Sequence, residues 1–132
     1  MIDHISVDVS DLKKSGHFYD NALKPLGYKM LMEAPQEFRG RLVLGWGDSA
    51  ETELYIGESI SNKPRLHIAF RADNHKMVNE FYKAALAAGG KGNGKLGLRP
   101  EYHEYFYGTF ILDPDGHNIE AVCHDSHDSS QA

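Results

Sequence analysis

The stretch "HISVDVSDLKKSGHFYDNALKPLGY" (residues 4–28) is answered later in the chain by "HIAFRADNHKMVNEFYKAALAAGG" (residues 67–90). His4 and His67 stand 63 residues apart (67 − 4), and the same offset carries Phe18-Tyr19 onto Phe81-Tyr82, Leu23 onto Leu86 and Gly27 onto Gly90. Each copy opens with the apolar–polar alternation of a half-buried strand, then changes to an apolar stripe at helical spacing. Leu12, Tyr19, Ala22, Leu23 and Leu26 make the first stripe; Met77, Val78, Phe81, Tyr82, Ala85 and Leu86 make the second. The spacing predicts helices over 11–26 and 74–88. Ser10 and Asp73 are the expected N-caps, because their side-chain oxygens can accept from first-turn amides that lack helical partners. Gly27 and the Gly89-Gly90 pair should end the helices, since glycine tolerates the left-handed C′ conformation.

Strand-like segments follow each helix. In the first half they are 28–33, 41–46 and 51–57; in the second, 105–112 and 118–123 follow a glycine-rich stretch. Asp113-Pro114-Asp115-Gly116 reads as turn chemistry alone: proline presets φ, and Asp-Gly accepts a tight reversal. Each half is therefore a βαβββ module, with the second strand short or irregular in the second half. A unit of about 60 residues buries too little surface by itself, so the two should pack together as one α+β domain. Module one is expected over about 1–57 and module two over about 65–124. The boundary falls in the polar, proline-bearing 58–64, and a polar, frayed tail spans 125–132.

Composition narrows the function. The chain has 132 residues, 41% of them hydrophobic and 25% charged, which is the profile of a soluble globular protein. No run approaches the roughly 18–20 apolar residues of a membrane span, and the N-terminus has no secretory pattern. The single cysteine, Cys123, excludes an internal disulfide and suits a reducing cytoplasm. A net charge of −5 without a basic stripe argues against nucleic acid and toward a small-molecule or protein partner. Eight histidines make metal worth asking about.

Strand alternation decides which side chains share a face. If Ile5, Val7 and Val9 pack on a helix, His4, Ser6 and Asp8 point the other way. By the same parity His67 and Arg71 lie opposite Leu66, Ile68 and Phe70. Glu53 and Tyr55 lie opposite Leu54 and Ile56, and Glu120, Val122 and His124 lie opposite Ile119, Ala121 and Cys123. Glu53 and Glu120 each stand five residues after an aspartate, Asp48 and Asp115. Any one of these polar residues is more simply a hydrogen-bonded strand residue. Two histidines and two carboxylates repeated on the non-helix face are instead the ligand types of a mononuclear divalent site.

The doubled layout, the histidine in each first strand and "LDPDGHNIEAV" near the end of the chain resemble the vicinal oxygen chelate superfamily. That family holds glyoxalase I, extradiol dioxygenases, and fosfomycin and bleomycin resistance proteins. The segment "LRPEYHEYFYGTF" looks like that of a glyoxalase-like bacterial subgroup. The resemblance implies paired βαβββ modules curled into a cup-shaped mixed sheet around a metal. His4, His67 and Glu120 would be ligands, and Glu53 would be the fourth ligand of glyoxalase I. It also implies a homodimer, with the two modules of one site drawn from different chains in glyoxalase I-like members. An exposed sheet edge in each short module points to the same assembly.

The implied chemistry is bidentate binding of vicinal oxygens to a divalent ion (Zn, Ni, Mn or Fe), with Glu120 or Glu53 as proton acceptor. Arg99, Tyr102, His103, Tyr105 and Tyr107 are candidate substrate contacts, although the tyrosines equally suit packing. Three readings stand side by side. One is a glyoxalase I-like (lactoylglutathione lyase-like) lyase or isomerase. Another is an Fe(II) extradiol dioxygenase, which would not need Glu53. The third is a non-catalytic binding protein of the bleomycin-resistance kind.

Overall fold

The computed structural model describes residues 1–31, 36–38 and 40–125. The expected strand over 28–33 runs partly outside those residues, and the expected tail falls outside them beyond Asp125. In chain order the elements of the first half are β1 (Ile5–Val9), α1 (Leu12–Leu23), a 3-10 turn (Lys24–Leu26), β2 (Lys29–Met30), β3 (Gln36–Phe38), β4 (Arg41–Gly47) and β5 (Leu54–Glu58). The second half repeats them as β6 (His67–Arg71), α2 (His75–Ala87), β7 (Lys91–Gly92), β8 (Gly97–Leu98), β9 (Tyr107–Leu112) and β10 (Asn118–Cys123).

The helices lie where periodicity places them, but each cap is one residue later than expected. Asp11 accepts from the Lys14 amide at 3.0 Å and Asn74 from the Met77 amide at 2.9 Å. Both side chains cap from the extended region, as an N-cap must. The 63-residue offset survives the correction, because Asp11 and Asn74 obey it too (74 − 11). Gly27 ends the first helical segment at φ 88°, a left-handed conformation costly for other residues. Its counterpart Gly90 is needed for space instead: a Cβ there would lie 2.7 Å from both Phe18 and Ile111.

Each half forms its own five-stranded sheet. The first runs β1-β5-β4-β2 with β3 also on β4, and the second runs β6-β10-β9-β7 with β8 also on β9. The expected second strand is thus broken into two short pieces in both modules. In each sheet the first and last strands pair in parallel across the helical crossover, and the remaining pairs are antiparallel. The helix of each module covers one face of its sheet, and α1 packs on α2 between the sheets.

Both modules share one core. Phe18, Tyr19, Leu23 and Trp46 from the first and Val78, Phe81, Ala85, Ile111 and Ile119 from the second are at most 1% exposed. Full burial of one such large side chain stabilises by about 1.5–3 kcal/mol, so neither sheet-and-helix unit is complete without the other.

The 113–116 turn does more than reverse the chain, contrary to expectation. Asp113 accepts the buried Tyr19 hydroxyl at 2.5 Å, together with the Asp115 and His117 amides at 2.9 Å each. Asp115 accepts the Ser10 hydroxyl at 2.6 Å. His117, wholly buried, ties down the connector over 59–66. Its Nδ1 accepts the Leu66 amide at 2.9 Å, and its Nε2 lies 3.2 Å from Ser61 Oγ. No helix among the described residues is long and apolar enough to cross a membrane.

With helices covering the inner faces, the outer face of each sheet points away from the shared core. His4 belongs to one of these faces and His67 to the other.

Candidate functional site

On β6, His67, Ala69 and Arg71 are exposed while Ile68 and Phe70 turn toward the core. On β10, Ile119 and Ala121 are wholly buried against the helix side, so Glu120 and Val122 take the outer face. The parallel register sets His67 abreast of Asn118 and Ala69 abreast of Glu120. His67 and Glu120 are therefore diagonal neighbours, and His67 Nε2 meets Glu120 Oε2 directly. The imidazole is 64% exposed and the carboxylate 4%, so an open donor sits on an almost buried one. Asn118 Nδ2 donates to Glu120 Oε2 at 3.1 Å. Burial holds the Glu120 carboxyl above its ordinary pKa, against the opposing pull of His67, the Asn118 hydrogen bond and the Arg99 charge.

This pair belongs to a cavity of about 390 Å³. Tyr102, Phe106 and Phe110 line its walls, Ala69 and Val122 its floor, and Arg71 and His124 its far end. The nitrogen and oxygen donors that converge here suit a borderline divalent ion. Among the described residues, no cluster of three or more His, Cys, Asp or Glu side chains could hold a metal. One chain thus brings two of the four predicted ligands together.

The other two lie on the first sheet. Ile5 pairs with Leu54 and its amide donates to the Glu53 carbonyl at 2.8 Å, which sets His4 abreast of Glu53. His4 Nδ1 lies 2.6 Å from the Asp3 carboxylate, and its ring meets Tyr55 edge-on at 5.5 Å. Glu53 Oε2 accepts the Asp48 amide at 3.2 Å, and a hydrogen bond with the Asp48 side chain raises its pKa.

The register also corrects the sequence pairing of Glu53 with Glu120. Trp46 faces Leu54 as Ile111 faces Ile119, so Asp48 corresponds to Asp113 and not to Asp115. Glu53 then corresponds to Asn118, and the counterpart of Glu120 is Tyr55.

The candidate substrate contacts divide in the same way. Tyr102 lines the cavity. The Arg99 guanidinium lies 4.6 Å from the centre of the Phe110 ring and donates from Nη2 to the Lys95 carbonyl. His103 stacks on His124 at 4.7 Å, with a hydrogen bond between the two rings. Tyr105 is exposed, and its amide donates to His103 Nδ1 at 3.1 Å.

Tyr107 is not on this face. It stacks on His75 of α2 at 3.8 Å and donates to Asn79 Oδ1 at 2.5 Å, because Thr109 and Ile111 fix the inward parity of β9. Phe106 and Phe110 take the cavity positions that the tyrosines were expected to hold. The wholly buried pair Thr109 and Ile111 was the alternation signal that gives them away. Arg71 and His124 share the parity of His67 and Glu120 and were legible as neighbours, though not as parts of a cavity.

Residues 1–121 match a family model, that of the glyoxalase/bleomycin resistance protein/dioxygenase superfamily. The chain belongs to that superfamily. Among solved structures, a glyoxalase/bleomycin resistance protein from Albidiferax ferrireducens is 27% identical, with TM-score 0.72 over 93% of this chain and 98% of that one. The fosfomycin resistance protein FosX from Listeria monocytogenes, solved with Mn(II) and sulfate, is 20% identical, with TM-score 0.66 over 96% and 93%. A hypothetical protein from S. aureus is 23% identical, with TM-score 0.63 over 91% and 94%. No curated protein matches the sequence.

Proposed function

We propose that this superfamily member is a metal-dependent enzyme acting on a small substrate through two adjacent oxygens, as a glyoxalase-like lyase or isomerase. The observation that carries the reading is the exposed His67 imidazole set directly on the nearly buried Glu120 carboxylate at one end of a cavity. A buried carboxylate whose charged form is disfavoured gains most from a cation brought beside it. His67 and Glu120 supply two ligands, and His4 of a second copy supplies the third. Among the described residues β1 and β6 each pair on one side only, so each sheet ends in an edge strand beside its histidine. Homodimerisation along those edges would join the two open faces into one cup.

The ion, when bound, supplies Lewis acidity where negative charge develops on substrate oxygen. Glu120, at the metal end of the cavity, is the carboxylate this reading assigns to take a proton from substrate carbon. The Arg99 charge, felt at Glu120, offsets negative charge at that end. Tyr102 and the Phe106 and Phe110 rings shield it from water. The occupancy of FosX by Mn(II) makes manganese the first ion to try.

The experiment is complementation. His4→Ala and Glu120→Gln homodimers should each bind little Mn(II). Exchanged at random in a 1:1 mixture, they should recover about a quarter of wild-type sites, because half the dimers then carry one intact site of two. Recovery of no sites by mixed dimers, or full binding by either homodimer, would overturn the shared-site reading.

A further inference from the structure

The far end of the same cavity holds a cation that none of the described residues neutralises. Arg71 ends β6, four residues beyond His67 on the same face, and lines the cavity with Val122, Phe106 and His124. Among the described residues its guanidinium has no carboxylate partner. The contrast with the first module is direct. Asp8 holds the position that corresponds to Arg71, and it is ion-paired with Arg41. The chain carries a net charge of −5, yet no acid among the described residues pairs with Arg71. Four strand residues span roughly 13 Å at about 3.3 Å each. The floor between the two ends is Ala69 and Val122, and the walls are aromatic.

We propose that Arg71 is a specificity-determining residue that anchors an oxyanion on the substrate, about 10–13 Å from the metal-binding oxygens. The substrate class is then a small acid with three parts. Adjacent oxygens occupy the His67–Glu120 end, a flat or compact apolar body lies between Phe106, Phe110 and Tyr102, and a carboxylate or phosphonate reaches Arg71. His124 and His103, bonded ring to ring beside it, add a hydrogen-bonding flank. At about 390 Å³ the cavity stands at the small end of the roughly 300–1,000 Å³ usual for small-molecule sites.

This inference rests on the proposed function for the substrate's other end, so its test has an arm that needs no metal. Binding of 3-phenylpropionate, 2-phenylethylphosphonate and 3-phenylpropionamide is measured by calorimetry on the full chain, stripped of metal and loaded with Mn(II). Both acids should bind the stripped protein at least about tenfold more tightly than the amide, as expected for a charge-assisted guanidinium contact. The preferred acid identifies the oxyanion.

Arg71→Gln should abolish that preference while leaving amide binding and Mn(II) content unchanged. Equal binding of acid and amide by wild type, no measurable binding of any probe, or survival of the preference in Arg71→Gln would overturn the proposal. Failure of Mn(II) to load, with the Arg71-dependent preference intact, would overturn the metal reading alone.

Discussion

On the outer face of the first sheet, Arg41 reaches from β4 across to β1, where it pairs with Asp8 and donates to Ser6 Oγ at 2.8 Å. It passes so close over β5 that a Cβ on Gly57 would lie 2.5 Å from its guanidinium carbon. On the second sheet the register places Phe106 where Arg41 stands, Arg71 for Asp8, Val122 for Gly57 and Glu120 for Tyr55. That face is hollow and polar at both ends. One backbone plan, written twice, thus gives a filled face and an open one. Repetition preserves the inward residues that build the core, while a handful of outward positions decide which half receives a ligand. Under the proposed reading the first half contributes chiefly His4.

Glu120→Gln tests the open face and should have the largest effect. A lost ligand should cost more than the 10–100-fold in metal affinity typical of outer-shell losses, measured by Mn(II) titration, while circular dichroism stays unchanged. Metal-free stability should move in the opposite sense. Because the folded pKa of Glu120 is raised, the ionised carboxylate destabilises the fold fully at pH values above that pKa. Wild type regains stability as pH falls through the raised value toward the ordinary one. Glu120→Gln should therefore unfold at higher denaturant than chelated wild type at neutral pH, with the gap closing on acidification. A gap independent of pH would show that Glu120 is not the group responsible.

Tyr19→Phe probes what the two modules share. It removes the hydroxyl that Asp113 accepts across the core but leaves Asp113 its two backbone amides. The expected cost is about 1.5 kcal/mol, the lower end for a hydrogen bond to a charged group, read from urea unfolding. Asn in place of Asp113 should cost more, since two amide bonds also weaken. No change in either would mean that the turn only reverses the chain.

Arg41→Ala should cost less, roughly 0–1 kcal/mol, because the Arg41 and Asp8 side chains keep 24% and 33% exposure and solvent screens the pair. Its use is in the comparison: clearing the first face should not create a second metal site, since Tyr55 offers no carboxylate there. A second Mn(II) equivalent in this variant would break the account of why the halves differ.

The fold was legible because the 63-residue repeat reports the core, and core positions such as Phe18-Tyr19 and Phe81-Tyr82 are held by packing on both sides. That His67 and Glu120 share a face was legible by parity alone. Less legible was anything set by register between strands. Parity says which face a side chain takes but not which neighbour it meets. Tyr107 was misplaced for a related reason, because aromatic residues occupy both parities of β9 and only the burial of Thr109 and Ile111 breaks the tie. The caps were displaced by one because Ser10-Asp11 and Asp73-Asn74 each offer two capping side chains in succession.

Glu53→Gln should have the smallest effect, and it tests the register most sharply. Counting from the nearest aspartate makes Glu53 the twin of Glu120, and by that count its loss should damage metal binding nearly as badly. The strand pairing makes it the twin of Asn118, abreast of its histidine and not diagonal to it. Diagonal placement is what lets His67 and Glu120 converge. In the first module the diagonal place belongs to Tyr55, and Glu53 is already engaged by the Asp48 amide. Its removal should therefore shift Mn(II) affinity by no more than about threefold, the size of an indirect charge effect at a partly exposed site. A loss as large as that of Glu120→Gln would place Glu53 among the ligands and favour a four-ligand glyoxalase I-like centre. A negligible loss would leave His4, His67 and Glu120, a two-histidine, one-carboxylate set that a three-ligand lyase shares with the Fe(II) dioxygenase, and absence of catechol cleavage by the iron-loaded protein would then keep the lyase reading.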